Sequence, residues 1–141
     1  LGHYRFLLLY LLAAIGGGVA SYAFSDMRTV SVGASGAIFG LMGALVVAGR
    51  RLKYDITQVL VLLGINVVIG SISPGVDWRA HLGGLVTGAL VAVVMVFPSR
   101  RYRTVVQVAG ILGILVILGA ITMWRTAQIH ELLAPVSSLF T

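Results

Sequence analysis

Five apolar runs, roughly 6–24, 33–49, 57–72, 81–97 and 104–124, fill most of this chain, and only short breaks such as SDMRTVS, RRLKYD, SPGVDWR and PSRRYR separate them. Runs of this length approach the ~20 residues a helix needs to cross ~30 Å of hydrocarbon. Backbone groups in lipid must be satisfied within their own segment, so the runs are expected to be helices. With 59% hydrophobic and 10% charged residues and a mean hydropathy of +1.05, the chain has too little charge to cover the surface of a soluble domain. The expected fold is an all-α membrane protein, a polytopic bundle of five transmembrane helices in one domain spanning 1–141. No repeat or low-complexity tract interrupts it. The absence of cysteine excludes disulfides and thiolate metal sites.

The net charge of +6 raises the possibility of nucleic acid, but the placement of the charges argues otherwise. If the helices alternate, Arg5, Arg50, Arg51, Lys53, Arg100, Arg101 and Arg103 share one side, while Arg28, Arg79 and Arg125 share the other. The positive-inside rule puts the larger group in the cytoplasm. The same arginines suit the anionic headgroups of a bilayer. No nucleic-acid partner is expected. The expected location is an integral protein of a bacterial plasma membrane.

This alternation makes the second and fourth runs parallel, both starting on the outer side. The second opens VSVGASGAIFGLMGA, with Ser35 near its start; the fourth opens with His81. A hydroxyl becomes a nucleophile when a base takes its proton, and imidazole is the usual base near neutral pH. A serine and a histidine at matching depth are therefore a candidate dyad. Each also has a plainer reading. Serine in a membrane helix often bonds back to its own backbone or to a neighbour. A histidine at a helix end can simply be solvated.

The glycines bear on this choice. Gly33, Gly36, Gly40 and Gly43 recur on one helical face; His81, Gly84 and Gly88 share another. Gly36-xxx-Gly40 and Gly84-xxx-Gly88 are small-xxx-small pairs that let backbones approach. If the two faces pack together, His81 comes down beside Ser35. Glycine pairs alone also serve ordinary helix association.

G-A-S-G at 33–36 followed by I-F-G-L-M-G, A-H-L-G-G-L-V-T-G at 80–88, the RFLLLYLL run at 5–12 and the order of spans together resemble the rhomboid intramembrane serine proteases. The resemblance covers essentially the whole chain. It implies that Ser35 is the nucleophile, that His81 is the general base, and that Gly84 and Gly88 let the histidine helix pack on the serine helix. It sets Phe39 where the family often carries a tyrosine against the histidine ring. A phenylalanine keeps the stacking and loses the hydroxyl, and plain packing explains it equally well. The family works with a dyad, and neither Asp77 nor Asp26 is expected to orient the imidazole.

Acyl transfer also needs donors for the developing oxyanion. The Ser35 backbone N–H, near the start of its helix and flanked by Gly33 and Gly36, is one candidate. In rhomboids a histidine and an asparagine from a preceding helix add others. Here His3 falls at the wrong end, His130 lies beyond the last run, and Asn66, mid-membrane, is expected to bond across helices. The chain opens at Leu1, close to an apolar run and with no signal-peptide pattern. The expectation is therefore an N-terminally truncated piece of a six-plus-one helix fold, without the first two core helices and inactive by itself. Loops around 25–32 and 71–79, with Pro74 and Gly75, would border a water entrance on the outer side. Trp78, Trp124 and Tyr22 are expected at the interface.

The implied function is an endopeptidase acting on transmembrane segments of other membrane proteins, without cofactor or metal. The rival from another class is an inactive rhomboid-like protein that binds membrane clients. A transporter is disfavoured, because no Asp, Glu, Lys or Arg interrupts a span. Oligomeric state is left open.

Overall fold

In the computed structural model, residues 2–25, 34–73 and 75–137 are described. Gly33, Asp26, Arg28 and Pro74 lie outside them. The described residues form five helices: α1 (His3–Phe24), α2 (Ser35–Leu52), α3 (Thr57–Ile72), α4 (Trp78–Val96) and α5 (Arg103–Ser137). The fold is an all-α membrane bundle. Four of the helices are long and apolar enough to cross a membrane. The other, α3, has 16 residues and is about 24 Å long.

Local chemistry sets the ends. The Arg50 and Arg51 side chains sit in the last turn of α2, where cations complement the helix dipole. Lys53 then turns left-handed (φ 57°). Its N–H bonds the Arg50 carbonyl, and the Tyr54 N–H bonds the Gly49 carbonyl at 2.9 Å, a pairing that satisfies carbonyls left over at a helix end. Before α3, Asp55 accepts from both the backbone N–H and the hydroxyl of Thr57.

Two boundaries differ from the sequence expectation. Helix α4 starts at Trp78 rather than 81, because the Asp77 side chain caps it by accepting from the Arg79 and Ala80 N–H groups. His81 is therefore inside the first turn, not at its edge. Helix α5 does not stop near Trp124 but continues to Ser137, carrying His130 along. At 35 residues it is about 52 Å long, well beyond the ~30 Å of a hydrocarbon core.

Packing centres on α1, α2 and α4, with α5 along α4 and α1 and with α3 at the side. Toward the Lys53 and Phe97 end the core is aliphatic: Leu9 and Leu12 meet Ala44, Val91, Ala92 and Met95, with Ile114 closing from α5. Toward the Ser35 and His81 end, glycines replace side chains. Long apolar residues such as Leu11, Val61, Val68 and Val116 point outward, as suits a surface solvated by lipid tails.

Candidate active site

Helices α2 and α4 meet backbone to backbone. Any Cβ on Gly84 would collide with the Gly36 carbonyl, and any Cβ on Gly88 with the Gly40 carbonyl. Gly36 pairs with Gly84, and four residues on Gly40 pairs with Gly88, so the two helices run parallel. Helix α1 closes the third side in the opposite sense. A Cβ on Gly17 would stand 2.8 Å from the Ala80 carbonyl oxygen and 3.3 Å from the Gly36 Cα. Three backbones converge at Gly17, Gly36 and Ala80. Ser35 precedes one member of that trio, and His81 follows another.

Ser35 is the first residue of α2 and is half-buried. The first N–H groups of a helix have no acceptor within it, so the turn at Ser35 and Gly36 presents donors beside the hydroxyl. The first bond of the α2 ladder runs from the Ile38 N–H to the Ala34 carbonyl at 3.1 Å.

The imidazole of His81 is half-buried and lies flat on Phe39, with ring centroids 4.2 Å apart and planes 8° from parallel. Its Nδ1 edge faces α3, where a Cβ on Gly70 would stand 3.5 Å from Nδ1. The ring, carried by α4, is thus stacked on α2, with α3 close at its Nδ1 edge. A cavity of about 290 Å³ opens beside it, lined by Phe39, Val67, Gly70, Ser71, Trp78, His81, Leu82 and Leu85. Among the described residues, no hydrogen bond joins the Ser35 hydroxyl to the imidazole. Catalytic hydrogen bonds are often loose before substrate arrives.

Asp77 sits one turn before His81, and its charge acts on the imidazole, while its carboxylate makes hydrogen bonds to other groups. Besides capping α4, it accepts the hydroxyl of Ser21 on α1. Sequence reasoning missed that link. The cap itself was readable, since an Asp directly before an apolar run is a helix-start signal.

Asn66 corrects an expectation. Its side-chain amide donates to the Leu62 carbonyl of its own helix at 2.8 Å, not across to a neighbour. A carbonyl one turn back is always within reach of such a side chain. His3 opens α1 at the opposite end from Ser35, and His130 is exposed on α5. Among the described residues, no three His, Asp or Glu side chains gather into a metal-ligating group. The C-terminal half of α5 reaches the end of α1: Tyr22 bonds Thr126 at 2.9 Å, and Arg125 donates to the Ser25 carbonyl.

Comparison with known proteins adds an independent line. Residues 1–99 match the family model of the Rhomboid domain, so the match ends before α5. The chain is 40% identical over 103 residues to the rhomboid protease GluP of Bacillus subtilis (strain 168), covering 70% of this chain and 20% of that protein. It is 37% identical over 102 residues to RHOMBOID-like protein 4 of Arabidopsis thaliana, covering 67% and 25%. To the rhomboid protease AarA of Providencia stuartii it is 28% identical over 131 residues, covering 72% and 46%. The chain thus spans less than half the length of each. No solved structure matches it significantly.

Proposed function

Because the chain belongs to the rhomboid family, we propose that the whole protein is an intramembrane serine endopeptidase that cuts transmembrane segments of other membrane proteins with a Ser35–His81 dyad. The observation that carries this reading is the side-chain-free seam of α2 and α4, which sets the first turns of both helices side by side with the imidazole flat on Phe39.

The chemistry follows from the roles. Ser35 Oγ attacks the scissile carbonyl while His81 takes its proton. The backbone N–H groups at the start of α2 stabilise the oxyanion. As the tetrahedral intermediate collapses, the carbon–nitrogen bond breaks, and His81 gives the proton to the leaving amine. Water, deprotonated by His81, then hydrolyses the acyl-enzyme and frees Ser35. The dyad needs neither cofactor nor metal. Stacking on Phe39 supplies the ring orientation that a carboxylate supplies in a triad. Small, helix-destabilising residues favour a substrate, because an intact helix shields its carbonyls.

The activity is that of the whole protein. The 141 residues alone, with only backbone donors at the oxyanion position, are proposed to be inactive. We place the site on the non-cytoplasmic side of a bacterial plasma membrane, because alternation of the apolar runs in the sequence puts seven basic residues on one side against three on the other.

The test is fluorophosphonate labelling of the full-length protein in liposomes. Labelling of wild type that vanishes in both Ser35→Ala and His81→Ala supports the dyad. No labelling of folded protein would turn the assignment toward client binding, and labelling that survives His81→Ala would mean another base.

A further inference from the structure

The imidazole of His81 has carbon on both flanks: the Phe39 ring against its face and Gly70 against its Nδ1 edge. The position of a ring held by stacking depends on where the backbone carries it. The first turn of α4 is therefore the part of the molecule on which the base depends, and one residue holds that turn. Asp77 Oδ1 accepts from the N–H of Arg79 at 3.1 Å and of Ala80 at 3.2 Å. Its backbone carbonyl accepts from the N–H of His81 at 3.3 Å. Its other carboxylate oxygen accepts the hydroxyl of Ser21, fifty-six residues away on α1. Ser21 is 6% exposed, and Gly17, one turn away on the same helix, lies against the Ala80 carbonyl.

We propose that Ser21 and Asp77 form a positioning clasp that fixes the rotation of α4 against α1 and so the placement of the His81 ring relative to Ser35. This inference rests on the proteolytic reading above. The glycine seam sets how closely the helices approach, but glycine faces are smooth, and smooth faces resist rotation weakly. A directional bond from a charged acceptor resists it strongly. The lever is short: a 20° turn of α4 about its axis moves a side-chain atom at ~6 Å radius by about 2 Å. Misplacement of a catalytic group by ~1 Å can cost on the order of a hundredfold in rate. Ser21 touches no reacting atom, so its effect falls on the rate of the chemical step and not on binding of the probe. Asp77 also acts on the imidazole through its charge, so Ser21 is the cleaner probe of the clasp.

The test separates those two quantities. Saturation kinetics of fluorophosphonate labelling are measured on the full-length protein in liposomes, alongside the thermal midpoint of each variant. Ser21→Ala keeps the α4 cap and removes only the tie to α1. It is expected to lower the maximal labelling rate about tenfold with unchanged half-saturation. Asp77→Ala removes both and is expected to lose more. Asp77→Asn is expected to recover to within about threefold of wild type, since its amide oxygen caps α4 and its amide N–H₂ bonds the Ser21 hydroxyl. A Ser21→Ala protein that labels at the wild-type maximal rate overturns the clasp while leaving the dyad standing. So does a loss of rate that merely tracks the fraction of unfolded protein across the three variants. Wild type that fails to label removes the proteolytic reading, and the clasp with it.

Discussion

The two ends of the α1, α2 and α4 bundle are built on opposite plans. At one end Leu9, Leu12, Val91 and Met95 interdigitate. At the other, Gly17, Gly36, Gly40, Gly84 and Gly88 bring main chain against main chain. An aliphatic core tolerates small errors, because side chains change rotamer to absorb them. A backbone seam has nothing to adjust. The seam lies at the end that carries Ser35 and His81, the proposed dyad, and the adaptable packing lies away from it.

The largest effect is expected from filling the seam. Gly84→Leu sets a side chain into the Gly36 carbonyl and should cost at least the ~3 kcal/mol at the upper end of overpacking penalties, because a helix backbone cannot step aside. Unfolding of the protein in detergent micelles measures it. A variant that unfolds like wild type would erase the distinction between the two ends.

Emptying the aliphatic end should cost less. Leu9 is 1% exposed, and in water Leu→Ala at such a site costs ~2–5 kcal/mol. In lipid the unfolded chain is still surrounded by hydrocarbon, so the transfer part of that cost vanishes. Leu9→Ala should therefore fall near 1–2 kcal/mol, roughly the packing part alone. The same unfolding assay decides, and a loss as large as that of Gly84→Leu would show that both ends are equally intolerant.

A sharper comparison uses neighbours in one sequence run. A methyl on Gly17 meets the Ala80 carbonyl oxygen at 2.8 Å, whereas a methyl on Gly18 meets nothing within 4 Å. Gly17→Ala should destabilise by about 1–2 kcal/mol. Gly18→Ala should be neutral or stabilising by up to ~1 kcal/mol, since alanine is the better helix former. Equal responses would mean that α1 does not enter the seam through the Gly17 face.

The smallest effect is expected outside the bundle. The Thr57 hydroxyl, and then the Thr57 N–H, hold the exposed Asp55 carboxyl below its usual range of 3.8. A carboxyl depressed in the folded state stabilises above its unfolded value, and the benefit is lost as pH falls through the folded value. Asp55→Asn should therefore lower the thermal midpoint slightly and equally at pH 7 and pH 5, with the gap to wild type closing only below about pH 4. A gap that already changes between pH 7 and pH 5 would assign the effect to another group.

These contrasts also mark what the sequence made legible. The apolar runs located each of the five described helices, because exclusion of charge is a local property. The glycine faces of α2 and α4 were readable because both follow the 3.6-residue period and alternation of spans makes the helices parallel. The part played by α1 was not. Gly16, Gly17 and Gly18 are consecutive, so they point around the helix and mark no face; only the fold selects Gly17 against Ala80. The nearness of Gly70 to the His81 ring and the bond between Ser21 and Asp77 join distant residues of types that recur throughout the chain, so no spacing could announce them. The length of α5 was missed because Arg125, Gln128, His130 and Glu131 end the apolar run without ending the helix.

A joint made of glycines has no rotamers to freeze. Ordering a buried leucine or methionine costs side-chain entropy; ordering Gly36 against Gly84 costs none. In a bilayer, where burial of apolar surface supplies no drive between helices, close dispersion contact and weak Cα–H···O interactions remain to hold such a joint. Its spacing is then dictated by the covalent dimensions of the peptide unit, which warming hardly alters. The gap between the turns that carry Ser35 and His81 works as a fixed gauge, cut to the width of two backbones.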